Sequence, residues 1–196
     1  MQVVSNDHKS NGLKDNSQQV FYAAETGIRE AKRWMLAQSN LTPGNAPNVK
    51  FCKTSLFSDL SDFINLSGDR RYAEDESVLA GFAMFEGISV LVIGQEKGDD
   101  LDSRLKRNFG MMKPEGYRKC IRLMKLANKF NIPIISFVDT PGAYPGIGAE
   151  QRGQAQAIAS SIECCMSLKV PIISIIIGEG GSGGAIALAS ANKVLM

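Results

Sequence analysis

From residue 77 to the last residue the chain alternates short, unbroken apolar runs with longer segments whose apolar positions recur at helical spacing. "SVLAGFAMFEGISVLVIGQEKG" (77–98) is rich in β-branched and aromatic residues and predicts two strands joined by a turn at Glu86-Gly87. "KPEGYRKCIRLMKLANKF" (113–130) predicts an amphipathic helix with Tyr117, Ile121, Met124, Leu126 and Ala127 inward and Arg118, Lys119, Arg122, Lys125 and Lys129 toward water. "IPIISFVD" (132–139) reads as a buried strand, 148–168 as a second helix, "VPIISIII" (170–177) as another buried strand and "GGAIALASAN" (183–192) as a helix of small residues. "KVLM" begins a further strand. Apolar strands separated by helices predict an α/β fold with a parallel sheet covered on both faces.

Upstream of this region the pattern is weaker. Residues 1–19 are polar and predict a disordered tail; 20–38 predicts a helix carrying Phe21, Ala24, Ile28, Ala31 and Met35 on one side. Pro43, Gly44 and Pro47 break the chain into a linker. In "LFSDLSDFINL" the spacing of Leu56, Leu60, Phe63 and Ile64 predicts a helix. The chain thus divides at about residue 50 into an N-terminal extension (1–50) and a folded domain (51–196).

Composition narrows the function classes. The 196 residues are 44% hydrophobic and 21% charged, with a formal net charge of +2, so nothing draws the chain toward nucleic acid or an anionic membrane. No apolar run has transmembrane length and the N-terminus lacks a secretory apolar core, which predicts a cytoplasmic protein. Cys52, Cys120, Cys164 and Cys165 form no C-x-x-C pair, so reduced thiols are expected, with neither a disulfide framework nor a metal site.

In a parallel sheet, ligands gather at the carboxyl ends of the strands. Two glycine-rich loops leave those ends: "DTPGAYPGIGAE" (139–150) and "GEGGSGGA" (178–185). Three patterns fit the second loop. Gly178, Gly180 and Gly183 match the dinucleotide fingerprint, but that motif belongs on the first strand of its domain. Gly180, Ser182 and Gly184 match a nucleophile elbow, but the single histidine of the chain is His8, in the polar tail. The third pattern is an oxyanion hole made by the backbone N–H groups of Gly183 and Gly184 in the first turn of a helix, where amides lack intrahelical partners and the dipole favours negative charge. It needs no histidine, nucleophile or metal. "DTPG" (139–142) resembles the switch motif of GTPases, but no G-x-x-x-x-G-K-[ST] precedes it.

The motifs "SGDRRYAEDESVLAGFAMFEG" (67–87), "VIGQEKGDD" (92–100), "KRNFGMMKPEGYRKCIRLM" (106–124), "DTPGAYPGIGAEQRGQAQAIA" (139–159) and "IGEGGSGGAIAL" (177–188) follow one another in an order that resembles the carboxyltransferase alpha subunit of bacterial-type, multi-subunit acetyl-CoA carboxylase, from about Leu56 to Met196. The resemblance implies a crotonase/ClpP-like superhelix of ββα units. It implies transfer of a carboxyl group from carboxybiotin on a carrier protein to acetyl-CoA, giving malonyl-CoA for fatty-acid synthesis. Neither substrate would be bound covalently to this chain. Expected partners are a beta subunit, in an assembly with two copies of each, the biotin carboxyl carrier protein and biotin carboxylase. Gly183 and Gly184 would hold the ureido oxygen of biotin, with Gly180, Gly181 and Ser182 beside them and Gly142, Ala143, Tyr144, Pro145 and Gly148 shaping the neighbouring wall.

Some readings stay open. The 139–150 loop is either a wall of the site or a rigid crossover fixed by Pro141 and Pro145, and Tyr144 either lines a pocket or packs on its own loop. Arg104, Lys106 and Arg107 are either solvated or placed to meet CoA phosphates or an acidic partner. Glu179 is a candidate to orient the glycine loop, and Glu150 is the loop acid a crotonase-type hydratase would need. Other acyl-CoA substrates, or an inactive scaffold that binds only the beta subunit, are the alternatives. Residues 1 to about 50 do not resemble the family's usual start, and the family continues beyond Met196 with an "SPEG"-like segment, so the domain is expected to be incomplete and inactive alone.

Overall fold

The computed structural model describes residues 60–85 and 87–196. The predicted tail, the 20–38 helix, the linker, His8, Cys52 and Glu86 lie outside them.

A six-stranded sheet organises the described chain, with strand order β1-β2-β3-β4-β5-β6. The strands are β1 (Leu60–Asn65), β2 (Val78–Phe85), β3 (Ile88–Gln95), β4 (Ile134–Thr140), β5 (Ile172–Gly180) and β6 (Lys193–Leu195). β1 to β3 pair antiparallel, and β3 to β6 are parallel. β2 and β3 pair on either side of the predicted turn: Phe85 faces Ile88, and Gly87 adopts a left-handed φ of 80°, which glycine takes without strain.

β1 corrects the helix expected around Leu60, Phe63 and Ile64. The strand carries a register shift between Ser61 and Ile64, with Asp62 at φ 58°. That bulge breaks the alternation of a strand, so Phe63 turns into the sheet's core while Ile64 points outward, at a spacing that mimics a helix.

The helices are α1 (Leu101–Lys106), α2 (Pro114–Lys129), α3 (Ile147–Gln151), α4 (Gln154–Ser167) and α5 (Ser182–Ala189), with a 3₁₀ turn at Asn108–Gly110. α1 was not foreseen. Asp100 caps it, accepting the Ser103 N–H at 2.8 Å while the Ser103 hydroxyl accepts the Asp100 N–H at 3.1 Å. The single helix expected over 148–168 is two, because Gly153 sits at φ 82° between α3 and α4. β5 runs through Gly180, into the glycine octet, and α5 stops at Ala189 rather than at Asn192.

The strands bury side chains on both faces, as their unbroken apolar runs predict. On one face Leu91, Ile93, Ile134, Val138 and Ile172 join Tyr117, Leu123 and Met124 of α2, Cys164 and Cys165 of α4, and Ala187 and Leu188 of α5. On the other, Val90, Val92, Ile135, Phe137, Ile173 and Ile175 form a second cluster with Phe63 and Phe85. Among the described residues all the helical members belong to the first face, so the expected cover of helices on both sides is met on one.

Of the outward basic face expected of α2, Lys125 and Lys129 are exposed, but Arg118, Lys119 and Arg122 are not. Lys119 is 1% exposed; its ammonium pairs with Glu74 and donates to the Val78 carbonyl at 2.7 Å. Arg118 donates to Asp69 and Glu115, and Arg122 donates to the Gly68 carbonyl at 3.0 Å. These cations dock the 67–78 segment, whose acidic residues and carbonyls replace water.

α5 is held from behind. Its last carbonyls have no helical partners, and two buried serines supply them: Ser161 donates to Ala187 at 2.7 Å and Ser136 to Leu188 at 3.0 Å. The amino end of α5 is thereby fixed at the carboxyl edge of the sheet.

Candidate oxyanion site at the carboxyl edge of the sheet

The two glycine loops meet. β4 ends at Thr140 and β5 at Gly180, and these two residues are register partners. The Gly181 N–H donates to the Thr140 carbonyl at 2.8 Å, so that amide is consumed by the sheet. Ser182 opens α5 at φ 54°, a left-handed conformation stored where strand turns into helix. The first intrahelical bond runs from the Ala185 N–H to the Gly181 carbonyl at 3.1 Å. The amides of Ser182, Gly183 and Gly184 precede that bond and have no acceptor in the helix. No side chain caps this end.

Gly183 and Gly184 lack a Cβ for different reasons. A Cβ on Gly184 would lie 2.5 Å from the Gly142 carbonyl carbon and 2.7 Å from the Ala143 nitrogen. Gly184 is therefore small because the 139–150 loop lies against the helix. A Cβ on Gly183 would meet only the Ile158 Cγ2, at an ordinary 3.5 Å. Packing does not demand glycine at 183, and its backbone is half-buried.

The loop after β4 is rigid. The Thr140 hydroxyl donates to the Gly142 carbonyl at 2.7 Å, and the Tyr144 N–H donates to the Met112 carbonyl at 3.1 Å. Gln154, buried at the start of α4, donates to the carbonyls of Met112 at 2.8 Å and Tyr144 at 3.0 Å. The Tyr144 ring rests on its own loop, in the space where Gly146 would carry a Cβ, with the Lys113 ammonium 5.2 Å from its centre. Pro145 is exposed, and Gly148 lies under the Arg152 guanidinium. Gly180 is exposed, and Gly142, buried, faces Ser182. Glu150 is exposed on α3. No described hydrogen bond reaches the Ser182 hydroxyl, and the elbow-like backbone there has no described histidine beside it.

The basic residues 104–107 reach groups of their own chain. Arg104 donates to the Gly98 carbonyl at 3.2 Å, Lys106 pairs with Glu76 at 2.9 Å, and Arg107 lies 3.7 Å from Glu96.

A charged cluster that the sequence did not reveal stands at the same edge. The Lys97 ammonium pairs with Asp139 at 2.6 Å and with Glu179. Burial alone would lower its affinity for a proton, but the two carboxylates outweigh burial and hold it above the ordinary lysine value. Asp139 also accepts the Glu179 N–H at 2.8 Å. Lys97 and Glu179 are 82 residues apart, and no local pattern joins them.

Comparison with known proteins identifies the family of the chain. The family model described as acetyl co-enzyme A carboxylase carboxyltransferase-like matches residues 4–196, beginning well upstream of the Leu56 start that the motifs suggested. A relative from Pelagibacter ubique (strain HTCC1062), named acetyl-coenzyme A carboxylase carboxyl transferase subunit alpha, is 76% identical over 150 residues, covering 76% of this chain and 40% of the relative. A protein of the same name from Chelativorans sp. (strain BNC1) is 55% identical over 173 residues, covering 88% of this chain and 55% of the relative. The chain thus spans about half the length of the curated relatives it matches. Among solved structures, the transcarboxylase 12S hexamer with methylmalonyl-coenzyme A and methylmalonic acid aligns over 68% of this chain and 24% of that one, at a TM-score of 0.57 and 21% identity. A single-chain, multi-domain long-chain acyl-CoA carboxylase aligns over 66% of this chain and 12% of that one, at 0.55 and 23%. These structural likenesses show the crotonase-like fold that the motifs implied. The chain belongs to the acetyl co-enzyme A carboxylase carboxyltransferase-like family.

Proposed function

We propose that this chain forms the core of a carboxyltransferase alpha subunit that moves a carboxyl group from carboxybiotin, on its carrier protein, to acetyl-CoA to give malonyl-CoA. The observation that carries the reading is the pair of amides of Gly183 and Gly184 at the amino end of a helix that no side chain caps and that Ser136 and Ser161 anchor at its other end. Carboxybiotin supplies the carboxyl group, and its departure gathers negative charge on the ureido oxygen.

The residues present suit that group. The two N–H groups donate to the oxygen, the helix dipole favours its charge, and the missing Cβ at 183 lets it approach. Thr140 and the Gly142–Tyr144 backbone keep the opposite wall from shifting as charge develops, and one such donor is typically worth about 3 kcal/mol of barrier. This chemistry asks no general base of the chain, since its proton is handled by the substrates. The assembly proposed has two copies each of alpha and beta, works with biotin carboxylase and the biotin carboxyl carrier protein in the cytoplasm, and serves fatty-acid synthesis.

The test is carboxyl transfer in reverse. Malonyl-CoA and free biotin are mixed with a chain of the relatives' full length bearing these residues and its beta subunit. Acetyl-CoA released only when both subunits are present supports the reading. Equal release by either subunit alone, or none from the complex, would overturn it.

A further inference from the structure

We propose that Asp139 is a positioning residue for the glycine loop: its carboxylate, neutralised by Lys97, fixes the end of β5 and thereby the place from which α5 presents its amides. This rests on the oxyanion reading above but concerns a different group. The Asp139 Oδ1 atom takes the Glu179 N–H at 2.8 Å and the Lys97 ammonium at 2.6 Å. Its own N–H donates to the Gln95 Oε1 at 3.1 Å, which ties β3 into the same edge.

Two glycines make room for it. A Cβ on Gly178 would collide with the carboxylate, and a Cβ on Gly110 would lie 2.8 Å from the Asp139 carbonyl oxygen and 3.0 Å from the Lys97 Cγ. One residue further along, the Thr140 carbonyl takes the Gly181 N–H. The end of β4 thus holds two amides of the octet, at Glu179 and Gly181, and leaves those of Gly183 and Gly184 for a ligand. Glu179, largely exposed, only completes the neutralisation of Lys97.

A shift of about 1 Å in a catalytic donor costs about 100-fold in rate. In the full-length alpha–beta complex, Asp139→Ala is therefore expected to lower kcat for reverse transfer by roughly 100-fold, with KM for malonyl-CoA changed less than about 3-fold. Asp139→Asn, whose amide oxygen can still accept the Glu179 N–H, recovers most of that loss. Gly178→Ala reproduces the Asp139→Ala defect with the carboxylate still present. Hydrogen exchange in the same complexes gives a readout independent of activity: the Glu179 amide exchanges at least about tenfold faster in Asp139→Ala than in Asp139→Asn, while β4 core amides are unchanged. Equal Glu179 exchange in the two variants, or KM and kcat falling together with no recovery by Asn, would overturn the proposal. A wild-type complex without transfer activity would strike the carboxyltransferase reading and leave the exchange experiment to decide this one.

Discussion

Gly183 and Gly184 are adjacent and look alike in the sequence, yet the structure separates them. Alanine at 183 finds space and removes a flexible residue from a helix, so stability should hold or rise by up to about 1 kcal/mol. Alanine at 184 must push the Gly142 backbone aside and should cost about 1–3 kcal/mol. Thermal melting of the two variants checks the pair. Sequence reasoning found both residues because a glycine cluster between strand and helix is a local signal; it could not see that the collision at 184 comes from a loop some forty positions earlier. Lys119 is the opposite case. Its place on a regular amphipathic helix put it in water, but a carboxylate and a carbonyl from the 67–78 segment meet it inside. Lys119→Met leaves the Val78 carbonyl unpaired and Glu74 without its cation, and should lower stability by about 3 kcal/mol, read by denaturant unfolding. The three described thiols are buried, and burial pushes Cys120 and Cys165 up to about 12 and Cys164 above its ordinary value. They should resist alkylation in the folded chain and react on unfolding.

At the scale of elements, α2 acts as a clamp. Asp69 accepts N–H groups of Arg71 at 2.9 Å and Tyr72 at 2.7 Å and the Arg118 guanidinium at 2.8 Å. Burial pulls its carboxyl upward, but these donors outweigh burial and hold it below the ordinary value of 3.8. A carboxyl lowered on folding stabilises above its unfolded value and loses that contribution as the pH falls through the folded one. Asp69→Asn should therefore cost about 2 kcal/mol near neutral pH, with the gap to wild type closing below about pH 4 in unfolding experiments. The same scale shows what patterning misreads. β1 resembled a helix because one bulge spoils its alternation, and the 148–168 helix concealed a break because Gly153 is tolerated by a helical pattern while its φ of 82° ends one. The uninterrupted strands β4 and β5 were legible because both of their faces are buried.

Over the described residues, the order of strands and helices from β2 onward, apart from α1 and the break at Gly153, and the two loops at one edge could be read from apolar rhythm and glycine placement. The pairing of the loops through Thr140 and Gly181, and the Lys97–Asp139–Glu179 cluster, could not, since they join residues far apart in the chain. The fold brings both glycine loops to the carboxyl edge of the sheet, and α5 reaches that edge with its amino end forward and its carboxyl end held by buried serines. This arrangement makes a donor pair rigid without any side chain of its own. The measurement that tests it most directly is reverse carboxyl transfer by the full-length complex with Gly183→Ala and Gly183→Val, alongside the melting temperature of each. The alanine variant should melt at or above the wild-type temperature with transfer down about 100-fold, and valine should deepen the loss of transfer. Wild-type transfer rates in both variants would contradict it, and would reduce the octet to the start of a helix.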